Sequence, residues 1–357
     1  MKRALSLLFI LFYSLCLSGC TLFPSKLQGV ERLLVVQAMG VDTERGAVTL
    51  SMVSAADSAR GEGPVRLSGR GATILDAADD IVARANEEEL FYAHTGYLLL
   101  GEQSAQELEN LLRYVCRSRE IRMDVPLFLV RGELAQTALL SSGEERVGAV
   151  ELLDALSAAA NARNGEAPPS AAHIAAALKE DGCALVAALS CERSSEEQGG
   201  EAALTLVPAG YGVVSGGKLA GFLEQDDVAA LDFLRSARGV HSFVVTDRTG
   251  RRVTMQTAPG RTQMRPLRDE DGEVRAIALE IRLDASVAEL DGAQPLSEAE
   301  YADELSALLE REILRRAGRV VQLQKELGAD FLGYGALPLR LSVSVRVSHS
   351  NDMRDGT

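Results

Sequence analysis

The sequence predicts an α+β protein of more than one domain, with mixed sheets packed by helices and a long C-terminal helix followed by an amphipathic final strand. Three stretches carry that prediction. Gly96 to Leu100, Leu108 to Val115 and Val125 to Val130 read as strand, helix and strand, the order of a crossover connection. From Ser297 and Glu300 up to Gly328, the residues Leu305, Leu308, Leu309, Ile313, Ala317, Val320 and Val321 recur at the spacing of one helix face. Leu339, Leu341, Val343, Val345 and Val347 then alternate with Arg340, Ser342, Ser344, Arg346 and Ser348, as in a strand with one buried and one wet face.

Taken in order, the chain opens on Lys2 and Arg3, an uncharged apolar run from Ala4 to Leu17, and then Ser18-Gly19-Cys20. Charge, apolar run and small residues in that order form a secretory signal, and the run is too short to stay in a bilayer as a spanning helix. A cysteine directly after Ser-Gly makes the site a lipobox, with cleavage between Gly19 and Cys20 and a diacylglyceryl group on the Cys20 thiol. Acyl chains, at about 0.8 kcal/mol per buried methylene, hold a protein durably on a membrane when two or three are present. The expected organisation is a signal over 1–19, a lipid-anchored tether over 20–29, an N-terminal α/β domain over 30–195 and a C-terminal α+β domain over 203–357. Residues 203–238 are a candidate middle subdomain.

Within the first domain, Leu33 to Met39 and Val48 to Val53 read as two strands around a polar turn at Asp42 to Gly46, followed by a Gly/Ser/Arg-rich link. Thr73 with Asp76, and Ser104 with Glu107, have capping-box spacing ahead of apolar stripes. Further helices are expected at Glu133 to Leu140, Val147 to Arg163 and Ala171 to Lys179, and a strand at Ala184 to Leu189. Ser190 to Glu201 is polar and glycine-rich, which suits a domain boundary. Beyond it, Tyr211 to Ser215 and Lys218 to Leu223 form a hairpin turned by Gly216-Gly217, a helix covers Asp226 to Ser236, and strands cover Val240 to Val245, Arg252 to Thr257 and Ile277 to Leu283.

Composition narrows the function. The 357 residues are 46% hydrophobic with a net charge of −14, and losing Lys2 and Arg3 makes the processed chain more acidic. Such a charge repels nucleic acid and anionic headgroups. After the signal, no second long apolar segment occurs. Cys116, Cys183 and Cys191 remain beside Cys20, an odd number without metal-like spacing; Cys116 suits a buried helix face, and Cys183 and Cys191 flank a strand. His94, His173, His241 and His349 are scattered, so no metal or other cofactor is expected. Gly212 to Lys218 nearly spells a phosphate loop, but Leu219 stands where Ser or Thr is needed and the stretch lies in a hairpin. No nucleophile-and-base constellation appears, and no residue is assigned as catalytic.

The lipobox and five further stretches together resemble the Ger(x)C family, the C-subunit lipoproteins of bacterial spore germinant receptors. The stretches are Glu31 to Asp42, Ala93 to Glu102, Arg117 to Phe128, Tyr211 to Leu223 and Gln324 to Gly335. The resemblance implies α+β domains lipid-anchored to the outer face of the inner spore membrane, acting without catalysis and assembling with integral-membrane A and B subunits. It departs from the family before the last strand, where only Ala336 to Pro338 intervene and the family's tryptophan-containing segment is missing. Candidate partner contacts are Asp42, Arg119, Glu120, Arg122 and Asp330. Asp42 and Gly40 read also as turn-formers, and Arg119, Glu120 and Arg122 also as an internal ion network. A solute-binding lipoprotein of an importer shares the anchor and size, but would need two parallel α/β lobes around a cleft.

Overall fold

The computed structural model describes residues 33–55, 63–85, 89–140, 143–144, 147–164, 166–193, 204–290 and 299–348. Gly19, Cys20, the tether, Glu87 and Glu88, the polar stretch 194–203, Ser297 and His349 lie outside the described residues.

A nine-stranded sheet organises the first half. It contains β1 (Leu33–Glu44), β2 (Ala47–Ser54), β3 (Arg66–Gly71), β4 (Glu89–Phe91), β5 (Tyr97–Gly101), β6 (Leu127–Arg131), β9 (Cys183–Arg193), β10 (Leu204–Ser215) and β11 (Lys218–Leu223); β7 (Gly143–Glu144) and β8 (Val147–Gly148) form a separate small ladder. The order is β11-β10-β9-β6-β5-β1-β2-β3, with β4 pairing the start of β1. β1, β5, β6 and β9 run parallel, while β2, β3, β10 and β11 extend the sheet antiparallel at its two sides.

Helices cover both faces of this sheet. α1 (Ile74–Arg84), α2 (Leu108–Arg117) and α5 (Ala171–Glu180) close one core with Met39, Leu50, Leu98, Leu100, Leu127 and Leu129. On the other face, α3 (Ala135–Leu140) and α4 (Ala149–Asn164) pack on Ala38, Leu99, Phe128 and Val130. Two covered faces explain the unbroken apolar runs Tyr97–Leu100 of β5 and Leu127–Val130 of β6, since all of these residues are buried.

Several expectations change. The last part of the Gly/Ser/Arg-rich link, Arg66–Gly71, is strand β3, and two of its glycines have a packing role: a Cβ on Gly69 would sit 2.4 Å from the Ala77 carbonyl oxygen, and one on Gly71 2.5 Å from the Ala77 nitrogen. Helix α1 therefore lies against bare backbone. Thr73 caps that helix, accepting from Asp76 N at 3.1 Å, and Asp76 reaches back to Ala72 N at 2.7 Å. Ser104 and Glu107 form no such box, because a 3-10 turn over Gln103–Glu107 precedes α2 and the Ser104 hydroxyl instead accepts from Thr43 N at 2.5 Å. Cys116 is exposed, since the buried stripe of α2 is Leu108, Leu111, Leu112 and Val115. Cys183 and Cys191 both lie within β9 rather than on its flanks.

The hairpin after the polar stretch continues the first sheet. β10 pairs along β9 from Leu204↔Arg193 to Ser215↔Cys183. Residues 203–238, expected as a candidate middle subdomain, are divided between the cores: β10 and β11 lengthen the first sheet, whereas α6 (Val228–Arg235) packs Phe233 and Leu234 into the second.

The second sheet comprises β12 (Ser242–Thr246), β13 (Arg252–Thr257), β14 (Arg261–Arg268), β15 (Val274–Leu290) and β16 (Leu339–Ser348). The long β15 is its spine. Its first half pairs antiparallel with β14, its last residues with β13, and its other edge runs parallel to β16. α7 (Ala299–Leu327) links β15 to β16 and lays Leu305, Leu309, Ile313, Ala317 and Val320 on Phe243, Met255, Leu279 and Ile281. The opposite face stays wet: Arg340, Ser342, Ser344, Arg346 and Ser348 are exposed, and Arg346 pairs with Asp284 at 2.8 Å across the strands.

Candidate functional site

Asp42 is 2% exposed and sits inside β1, so it forms no turn and its carboxylate faces the interior of this chain. Its carboxylate caps α3, with Oδ1 accepting from Ala135 N at 2.8 Å and Oδ2 from Gln136 N at 2.7 Å. Burial raises its pKa, outweighing the opposing pull of those two N–H groups. Gly101 makes room for it, since a Cβ there would fall 2.1 Å from Oδ1. Gly40 lies in the same strand against Ala135, and the turn itself falls at Arg45 and Gly46, both with positive φ. The stretches around Asp42 and Gly101 thus meet at one buried cap, where β1 and β5 pair in parallel.

The connection between α2 and β6 displays the second group. Arg119, Glu120 and Arg122 are exposed. Arg122 makes a two-pronged bond to Asp124, 2.9 Å at each prong, which holds the Asp124 carboxyl below its usual range and raises the guanidinium. Burial raises the phenol pKa values of Tyr92 and Tyr114, with the Glu120 and Asp79 charges adding to it. The three residues do not close into one ion network, and their side chains are on the surface.

Asp330 follows α7 and organises its own loop. Oδ1 accepts from Gly333 N at 3.1 Å and Tyr334 N at 3.0 Å, and Oδ2 from Gly335 N at 2.6 Å. Gly333 and Gly335 adopt positive φ, so the loop needs glycine at both positions. Tyr334 then donates its hydroxyl to the Leu234 carbonyl at 2.6 Å, tying the loop to α6. Asp330 is half-buried, and both its carboxylate oxygens are directed at backbone N–H groups of its own loop.

One buried acid–base pair exists that the sequence did not single out. His241 Nε2 lies 3.0 Å from Asp232 Oδ2, and that carboxylate also accepts from Gly239 N at 2.8 Å and from the Ser236 hydroxyl at 3.2 Å. Burial pushes Asp232 up, but these bonds together hold it below the usual carboxylate range. Ser236 bonds the carboxylate and not the imidazole, so the three are not ordered as nucleophile, base and orienting acid. Gly216 and Gly217 turn the β10–β11 hairpin with positive φ, as expected for a tight hairpin and unlike a loop opening a helix. Among the described residues, no cluster of three or more His, Cys, Asp or Glu could hold a metal, and no helix is long and apolar enough to cross a membrane.

The residues thus sort into fasteners of the backbone, the buried Asp42 and the half-buried Asp330, and displayed groups, Arg119, Glu120 and Arg122. Comparison with known families matches residues 28–190 to the spore germination protein N-terminal domain and residues 209–338 to the spore germination B3/GerAC-like C-terminal domain. Among solved structures, the crystal structure of the GerBC protein is similar in fold, with a TM-score of 0.55 and 16% identity over 87% of this chain and 96% of that one. A comparison with curated proteins gives no match.

Proposed function

Because the chain belongs to the GerAC family of spore germination proteins, we propose that it is the lipid-anchored C subunit of a nutrient germinant receptor. It acts as a structural and interaction component beside integral-membrane A and B subunits. The observation that carries this reading is the succession of both family domains along one chain, and the reading of Leu17-Ser18-Gly19-Cys20 as a lipobox supports it. The anchor is Cys20, and the location is the outer face of the inner spore membrane.

The contribution is one of surfaces and position, without enzymatic turnover or cofactor. Residues 21–32 join Cys20 to the first strand and span at most about 45 Å at about 3.5 Å per residue. Confinement to that layer raises the effective concentration of the domains near their partners, so a weak interface is well populated. The buried Asp42 cap and the Asp330 loop keep the displayed surfaces in shape.

Replacing Cys20 tests this. Spores carrying Cys20→Ala should contain the chain in the soluble fraction and fail to germinate through this receptor. Normal nutrient-triggered germination with a soluble, unacylated chain would refute the reading.

A further inference from the structure

The tether reaches the first sheet at one particular end. Strand β1 starts at Leu33, and β4 pairs with Leu33–Val35 there, setting Phe91 opposite Val35. Two hydrogen bonds, Gly96 N to the Gln37 carbonyl at 2.7 Å and Leu98 N to the Pro126 carbonyl at 2.9 Å, bring the loops 92–96 and 118–126 to this same end, where β5 and β6 begin. Two large apolar side chains remain uncovered on it: Phe91 is 37% and Met123 46% exposed. The His94 ring lies 5.6 Å from that of Phe91, Tyr92 and Tyr114 are half-buried, and Arg119 and Arg122 project from the second loop.

We propose that this end of the first sheet rests on the lipid surface, with Phe91 and Met123 in the headgroup boundary and Arg119 and Arg122 against lipid phosphates. The proposal rests on the anchored reading above. Aromatic and long apolar side chains with arginines beside them suit the boundary between acyl chains and water, because each side chain joins an apolar body to that layer or a charged tip to the headgroups. Two such residues would bind a membrane weakly by themselves. Here the acyl group at Cys20 makes their contact intramolecular, so a weak affinity is enough. The contact is local: the chain as a whole is acidic, and Arg122 already shares its charge with Asp124, so apolar insertion and not a long-range field holds it.

The full acylated chain is placed in vesicles of phosphatidylcholine and phosphatidylglycerol, with Cys116→Ser and Cys191→Ser as background. Flotation reports the anchor. An environment-sensitive thiol probe is attached at Phe91→Cys, at Met123→Cys, or at Met264→Cys on the second sheet, where Met264 is 58% exposed. Cys116, exposed near the end of α2, is labelled in the Cys191→Ser chain as a probe site that needs no new cysteine. The expected result is quenching by spin-labelled lipid several-fold stronger at 91 and 123 than at 264, with a blue shift at 91 and 123 and enhanced quenching at 116. A chain that floats while 91 and 123 are quenched no more than 264 overturns the proposal and leaves the anchor standing. Probes at 91 and 123 shielded from both lipid-borne and aqueous quenchers also overturn it, in favour of a second copy covering the patch. A chain that does not float defeats the anchored reading and this one with it.

Discussion

Strand β5 of the first sheet and strand β16 of the second are both rich in Leu and Val, yet they are written in different patterns. Leu98, Leu99 and Leu100 are all 2% exposed or less, because helices lie on both faces of their sheet. In β16 every second residue is exposed, because α7 covers one face only. The first sheet is a three-layer body whose shape depends on buried fasteners such as Asp42. The second is a two-layer body with a wet face, where the polar residues tolerate change. The difference predicts where the molecule breaks and where it does not.

The largest effect is expected in the centre of the first sheet. Leu99→Ala empties a fully buried site and should cost about 2–5 kcal/mol, whereas Val343→Ala in the half-covered strand should cost about 1 kcal/mol. Urea denaturation of the two variants compares them directly, and equal losses would remove the distinction between the sheets. Next comes Asp42→Ala, which leaves the Ala135 and Gln136 N–H groups without their acceptor and should cost about 1–3 kcal/mol. The same measurement on Asp330→Ala should give a smaller loss, as its partners lie in a surface loop.

Acid should separate the two bodies by sign. Asp232, in the second, has a folded pKa below the ordinary aspartate value of 3.8, so its contribution is complete above that value and is lost as pH falls through the lower folded one. Asp42, in the first, has a folded pKa above 3.8, so ionising it works against the fold and stability declines as pH rises from 3.8 through the raised value. Segment-resolved hydrogen exchange between neutral and acid pH should therefore show Asp232→Asn reducing acid sensitivity around α6 and β12. Asp42→Asn should reduce the gain in protection around α3 on acidification. The smallest effect is expected from Arg122→Ala, whose exposed pair with Asp124 should leave the melting temperature unchanged.

Patterns that depend on one face or two were readable in the sequence. The continuous run of β5, the alternation of β16 and the stripe of α7 each report their own covering, and their residues lie where the pattern puts them. Strands β3, β4 and β14 were not readable. Gly69 and Gly71 remove apolar signal from β3 because α1 needs the space, β4 is three residues long, and β14 is mostly exposed with Pro266 inside it. Cys116 was misplaced because it adjoins the buried stripe of α2 without belonging to it. Charged residues were the hardest: Asp42 and Asp330 look like Arg119 and Glu120 in sequence, and only the fold shows that the first two are aimed at backbone N–H groups. The exposed Phe91 and Met123 gave no signal, since a single apolar residue in a loop has no periodicity.

On the proposed reading, the chain works by what it touches at a membrane. The most direct measurement is to solubilise spore membranes in mild detergent, isolate the chain through a C-terminal tag and identify what elutes with it. The account predicts multi-spanning membrane subunits in fixed proportion to the chain, and their loss when Cys20→Ala replaces the wild-type chain. A chain that elutes alone while holding a nutrient of its own, from spores that germinate normally through this receptor, would contradict it.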